Sequence, residues 1–147
     1  VILYGTALLV FVADRLTKLL VQRMAPHSSI PLLGGLVAID RTQNTGAAFS
    51  VGLGMGNLFL AFAVVAAVAI VVFSRRLPST ETWGRVALGM VLGGALGNAL
   101  DRVLQGSVTD FIDLHWWPVF NVADSCIVVA ALILAWRLGR KPAAGDA

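Results

Sequence analysis

The chain has 147 residues, of which 58% are hydrophobic and only 13% charged, whereas a soluble domain is nearer half apolar and one quarter charged. The formal net charge is +3, but the basic residues flank long apolar runs, so the charge is read as membrane topology and no nucleic-acid partner is expected. A single cysteine, Cys126, excludes an internal disulfide and any CxxC metal site.

Residues 1–13 carry no charge, and neither do 55–73, 86–100 and 127–136. A helix needs roughly 20 mostly apolar residues to cross the hydrocarbon layer. The run at 55–73 has that length alone. The others reach it only by taking in polar residues at their ends: Asp14 and Lys18, Asn98 and Asp101, Asn121 and Asp124. The predicted spans are 1–22, 55–74, 84–102 and 119–137. The first is expected to be a true span and not a cleavable signal, because no small-x-small site closes it and Asp14 and Lys18 fall within it. After it, Pro26, Pro31, Gly34 and Gly35 break helices. Residues 35–42 alternate as a strand does, and 106–114 offers a second. A small extracytoplasmic sheet resting on the bundle is therefore expected. Arg75, Arg76 and Arg85 surround the connection between spans two and three, and Arg137, Arg140 and Lys141 follow span four. The positive-inside rule makes that side cytoplasmic and puts both termini there. Trp116, Trp117 and Pro118 lead into span four, as suits a helix starting at a membrane interface. The tail at 142–147 reads as disordered. The fold class is a mainly α membrane protein, four transmembrane helices with a small extracytoplasmic β-sheet, in one domain over 1–147.

Charged side chains inside a membrane helix cost about 2.5–3.5 kcal/mol each on insertion scales and usually mark a site. Spans one and three run outward and carry Asp14, Lys18, Asn98, Asp101 and Arg102 toward their outer ends. Span four runs inward and opens on Asn121 and Asp124. All these groups reach one depth, near the outer leaflet. Each has a plainer reading. Asp14 and Lys18, four apart, suit a structural ion pair. Asp101 with Arg102 reads as a supporting pair, Asn121 as a helix cap, and the glycines at 93–97 as a helix-packing surface. Asp110 and Asp124 resist such readings. Asp124 has no cation within a helical turn, and Asp110 sits among Val108, Phe111 and Ile112. Two carboxylates meeting at a water-accessible rim can share one proton, one activating water and the other protonating the substrate. If span four starts near Phe120 or Asn121, Asp124 lies in its first turn, where a carboxylate is favoured. Desolvated Asp110 would then hold the proton. Asp113 reads as solvent-facing. His27 and His115 stand apart without metal-ligand spacing, so neither metal nor cofactor is expected.

Five segments stand in order along the chain. They are Asp14-Arg15-Leu16-Thr17-Lys18, Asn44-Thr45-Gly46-Ala47-Ala48-Phe49-Ser50, the run Gly94-Ala95-Leu96-Gly97-Asn98-Ala99-Leu100-Asp101-Arg102, Val108-Thr109-Asp110-Phe111-Ile112 and Phe120-Asn121-Val122-Ala123-Asp124-Ser125. Together they resemble the motif set of lipoprotein signal peptidases, or signal peptidase II, over nearly the whole chain. The resemblance implies an aspartic endopeptidase of the bacterial inner membrane. Its substrate would be a prolipoprotein carrying diacylglycerol on a cysteine, cut just before that cysteine. It maps the catalytic pair onto Asp110 and Asp124. Substrate-binding or supporting roles map onto Asn44, Gly46, Asn98, Asp101, Arg102 and Asn121, with Asp14 and Lys18 in span one. It also implies an outer β-cradle. The expected partners are the prolipoprotein and membrane lipids, with the protein a monomer.

Four rival readings remain. A proton or ion pathway would place polar residues through the whole membrane depth, and a non-catalytic assembly factor would need no particular acids. A Ser–Lys dyad would pair Ser50 or Ser125 with Lys18. A Cys126–His115 pair is the last, although Cys126 also reads as a small packed apolar residue.

Overall fold

The computed structural model describes residues 1–46, 56–78 and 80–139. The expectations for motif residues 47–50, for Ser50 as a nucleophile and for the tail at 142–147 lie outside the described residues. The helices are α1 (Ile2–Gln22), α2 (Gly56–Ser74), α3 (Thr82–Gln105) and α4 (Val122–Gly139). The strands are β1 (Ser29–Leu32), β2 (Val37–Asn44) and β3 (Val108–Asp113), with a 3-10 turn at Leu33–Gly35. By length and composition α3 and α4 suffice to cross a membrane, while the apolar stretch of α2, Leu58–Ser74, is shorter.

The helix α3 is central and packs against the other three. Glycines make this possible by letting backbones approach closely. A methyl group at Gly93 would strike the carbonyl oxygen of Ala7, one at Gly89 that of Leu3, and one at Gly94 that of Ala123. Gly89, Gly93 and Gly97 recur every fourth residue and form the face of α3 turned to α1. The two helices run parallel, with Gly89 beside Leu3 and Gly97 beside Asp14. The helix α4 runs back along α3, and Glu81 pairs with Arg137 at the far end. Leu3, Ala7, Ile70 and Leu92 form an apolar cluster shared by α1, α2 and α3.

Many large apolar side chains point away from the bundle. On α1 these include Leu8, Leu9 and Leu20, on α2 Phe62, Val65 and Val68, and on α4 Val128 and Leu132. The buried set instead contains Asp14, Lys18, Asp101, Thr109 and Asn121. This is the reverse of a soluble bundle.

The three strands form an antiparallel sheet in the order β1-β2-β3. Strand β1 falls outside the two expected strands, where Pro31 is read only as a helix breaker. It lies at the sheet edge, where a missing N–H is tolerated. Gly106, with φ of 73°, ends α3 in the left-handed conformation that a glycine accepts freely and turns the chain into β3. An isolated bridge joins Ile112 to Phe120, and the Phe120 carbonyl accepts N–H groups from Phe111 and Ile112. That bridge clamps β3 to the entrance of α4. It brings the segment holding Asp110 beside the turn holding Asp124.

Candidate active site

The start of α4 is built by two residues acting on each other. Asn121 precedes the helix and takes the backbone N–H of Asp124 on its side-chain oxygen at 2.9 Å. Asp124 reaches back to the N–H of Asn121 at 3.3 Å. This reciprocal cap satisfies N–H groups that have no partner within the helix. It also fixes the Asp124 carboxylate in the first turn, at the positive end of the helix dipole. The other oxygen of Asp124 accepts Nδ2 of Asn98 at 2.8 Å. The expected place of Asp124 in the first turn is therefore met.

Asp110 is held from two sides. In the sheet it faces Thr42, so Asn44, two residues on, lies on the same face. Asn44 donates to Asp110 Oδ2 at 2.9 Å, and Asn121 donates to Oδ1 at 2.7 Å. Asn121 thus touches both acids. Asp110 is only 3% exposed, whereas Asp124 is partly exposed. Burial is the main force that pushes the Asp110 carboxyl up from 3.8 to about 6, and the nearby Asp124 adds to it. The amide donors Asn44 and Asn121, and Lys18 farther off, pull the other way.

Both acids line one cleft of about 310 Å³, together with the polar or small residues Asn44, Gly46, Asn98 and Arg102 and the apolar residues Trp117, Phe120 and Val128. Arg102 lies within 3.4 Å of the Gly46 and Asn98 carbonyls, with its guanidinium 5.2 Å from the Phe59 ring centre. Chemically this is a pair of carboxyl groups in unlike settings beside a mainly apolar groove that also carries amides. Such a pair can run acid–base chemistry.

Comparisons with known proteins bear directly on this arrangement. The family model described as signal peptidase (SPase) II matches residues 6–140. The chain belongs to the signal peptidase II family. The lipoprotein signal peptidase of Moorella thermoacetica is 39% identical to it, covering 92% of this chain and 96% of that protein. Those of Pseudomonas putida and Pseudomonas aeruginosa (strain UCBPP-PA14) are 44% and 41% identical, each covering 95% of this chain and 88% of their own length. Two solved bacterial membrane enzymes superpose with TM-scores of 0.89 and 0.85 at 28% and 29% identity. The first comparison covers 97% of this chain and 92% of the other. Signal peptidase II enzymes are membrane proteases that remove lipoprotein signal peptides, and this chain is one of them.

In this signal peptidase II chain the remaining motif residues form a buried layer behind the cleft. Lys18 and Asp14 form an ion pair at 2.8 Å, and Lys18 also lies 3.2 Å from Asp101 and 2.7 Å from Asn98 Oδ1. Gly97 leaves room for the Asp14 carboxylate, since a methyl group there would collide with it. One expectation is corrected. Asp101 does not pair with Arg102 but turns toward α1, bonding Arg15 and Lys18. Consecutive helical residues point in different directions, so Asp101 faces α1 while Arg102 faces the cleft.

Three participants were missed by sequence reasoning. Arg15 is bonded to Asp101, Gln22 donates to Thr109 at 2.8 Å, and buried Thr109 gives its backbone N–H to Asp101. For Arg15 a signal existed, a third charge in the same apolar run. For Gln22 and Thr109 there was none. Asp113 is not a free solvent-facing acid either. It accepts the backbone N–H of His115 at 2.6 Å, the main cause that lowers its carboxyl pKa, and lies 3.1 Å from that imidazole.

Among the described residues, the rival dyads find little geometry. Lys18 is fully buried with its ammonium engaged by Asp14, Asp101 and Asn98, and Ser125 donates to the Asn121 carbonyl. His115 is engaged by Asp113 and by the Gly35 carbonyl.

Proposed function

We propose that Asp110 and Asp124 are the catalytic pair, and that they cut a prolipoprotein just before a cysteine carrying diacylglycerol. The observation that carries this reading is the unlike setting of two acids in one cleft. Asp110 is dry, and its carboxyl is pushed up to about 6. Asp124 is partly exposed and accepts N–H donors at a helix N-terminus.

Asp124 takes a proton from water as the water oxygen attacks the scissile carbonyl carbon. Asp110 gives its proton to the carbonyl oxygen, and a neutral tetrahedral diol results. When the C–N bond breaks, Asp124 returns its proton to the leaving amine, and Asp110 recovers one from a diol hydroxyl. The cycle closes with both acids in their starting states, and positioned acid–base groups of this kind contribute about 10²–10⁴-fold in rate. Asn44, Asn98 and Asn121 keep the two carboxyl groups in place. Gly46 and Arg102 line the route of the substrate backbone, while Trp117, Phe120 and Val128 supply an apolar wall suited to a lipidated substrate.

The same reading takes the chain as one domain that crosses the bacterial inner membrane four times, as a monomer in contact with lipid. The outward apolar faces of α1, α2 and α4, with charge buried inside, support four spans. Arginines at 75, 76, 85 and 137 support cytoplasmic termini. The site then lies near the outer leaflet, where the apolar core of an inserted signal peptide ends. A proton pathway is disfavoured, because the other half of the bundle is filled by Leu3, Ala7, Ile70 and Leu92.

The test is direct. Purified protein is incubated with a diacylglyceryl-modified prolipoprotein, and the product is sized and its new N-terminus identified by mass spectrometry. A product starting at the lipidated cysteine supports the reading. An unmodified precursor cut equally well, or cleavage elsewhere, refutes it.

A further inference from the structure

We infer that Lys18 is a positioning residue whose single buried charge sets the place of both carboxylates, an inference that rests on the Asp110–Asp124 reading. None of the described residues that line the cleft comes from α1. Lys18 does not line the cleft, and it is fully buried. Its ammonium donates to Asn98 Oδ1 at 2.7 Å and forms ion pairs with Asp14 at 2.8 Å and Asp101 at 3.2 Å.

Each partner leads to a catalytic acid. Asp101 Oδ2 accepts the backbone N–H of Thr109, the residue before Asp110, at 3.1 Å. Asp14 Oδ1 accepts the backbone N–H of Ala123, the residue before Asp124, at 3.0 Å. Asn98 has its oxygen engaged by Lys18 and, at 3.1 Å, by Asn121. Its amide nitrogen is thereby turned toward Asp124, which it meets at 2.8 Å.

One ammonium thus pins the strand under one acid, the helix entrance under the other, and the amide that orients the second. Asp14 and Asp101 are both fully buried. Without the cation, Asp14 is left as an unpaired buried anion or must take up a proton. Either change loosens its grip on the Ala123 N–H. Asp101 keeps Arg15 but loses the link that ties it to α4. Two reacting groups that drift independently lose the alignment on which acid–base catalysis depends.

The experiment compares kcat and KM of Lys18→Met and Leu92→Ala with those of the wild type, in detergent or nanodiscs, on a diacylglyceryl-modified prolipoprotein. Leu92 belongs to the apolar cluster away from the cleft, so its variant controls for lost stability. Lys18→Met is expected to lower kcat by about 10²-fold with KM within about twofold, because misplacement of reacting groups acts on the chemical step. Leu92→Ala is expected to melt lower while keeping kcat. A folded Lys18→Met enzyme with wild-type kcat overturns the inference. So does a loss carried by KM, or an equal fall in kcat for Leu92→Ala at matched melting temperature.

If Lys18→Met does not fold, Asp14→Asn and Asp101→Asn carry the test, since each keeps an oxygen for its backbone N–H. Each is expected to lower kcat about tenfold at unchanged KM, and wild-type kcat in both overturns the inference. Asp110→Asn and Asp124→Asn are run alongside. Activity in either of those refutes the catalytic assignment itself. If both are inactive while Lys18→Met keeps full activity, only the role of Lys18 falls.

Discussion

Replacing Asp110 with asparagine removes a carboxyl that the folded protein prefers to keep neutral, so its effect on stability should depend on pH. The folded value is about 6 against an ordinary 3.8. A raised acid contributes stability that is fully present below 3.8 and is lost as pH rises through about 6. At about 1.4 kcal/mol per pKa unit, wild type loses about 3 kcal/mol from this group between pH 4 and pH 8. The variant has nothing to titrate there. It does lose one acceptor, because each oxygen of Asp110 receives an amide N–H, one from Asn44 and one from Asn121. That loss is independent of pH and costs about 1–3 kcal/mol. Asp110→Asn should therefore melt below wild type at pH 4 and close to it, or above it, at pH 8. For a chain of this length about 3 kcal/mol corresponds to roughly 6–12 °C of relative movement. The assay is thermal unfolding of both proteins in the same detergent at several pH values, reading the difference in Tm so that other titrating groups cancel. Two parallel curves from pH 4 to pH 8 would refute the claim that burial raises this carboxyl.

Asp110→Asn and Asp124→Asn should each reduce cleavage at least 10²-fold while the fold persists, whereas Asp113→Asn, whose partner is His115, should stay within about twofold. Product formation on a gel at saturating substrate checks both. Gly97→Ala drives a methyl group into the Asp14 carboxylate, and overpacking of this kind costs about 1–3 kcal/mol. Its Tm should fall and kcat with it, and a variant as stable as wild type would contradict the close approach of α1 and α3. Asp101→Asn should melt lower and keep partial activity. Complete loss of cleavage at unchanged Tm would move Asp101 into the catalytic set.

Much of this architecture was legible because charge interrupts the apolar runs so sparsely. The stretch 1–22 became Ile2–Gln22 and 55–74 became Gly56–Ser74. Where helix ends were misjudged, a tertiary contact was responsible. The fourth helix begins at Val122 and not at 119, because Phe120 is drawn into a bridge with Ile112. The third runs to Gln105, past the apolar run, and stops only at Gly106. Convergence of polar groups from α1, α3 and α4 could be read from depth alone, since a 1.5 Å rise per residue places each on a common scale. Their pairing could not. Whether Asp101 meets Arg102 or Arg15 depends on how α1 lies against α3, and that is set by Gly89, Gly93 and Gly97 acting on residues some 80 positions earlier. Asn44 is similar. Its place beside Asp110 needs the register Thr42 to Asp110, which follows a shift in pairing after Ile39 that no local pattern announces.

That contrast bears on how the site is held. The parts readable locally are the helix cap at Asn121 and Asp124 and the apolar setting of Asp110. Each prepares mainly one acid, although nearby Asp124 also adds to the rise at Asp110. The parts that only the fold supplies are the contacts made by Asn44, Asn98, Asp14, Asp101 and Lys18. These place the two acids relative to each other, and they come from β2, α3 and α1, elements distant in sequence. A capped helix and a strand still covered by a loosened bundle would keep one acid at a helix N-terminus and one desolvated acid. They would not produce two acids in one cleft. Damage to long-range packing should therefore remove activity before it removes the carboxyl shift at Asp110. In wild type titrated with detergent or urea, cleavage should be lost at a lower concentration than the carboxyl signal of Asp110 followed by infrared difference spectroscopy. Coincident loss of the two would mean that the acid pair and the pKa shift share one origin, against the separation argued here.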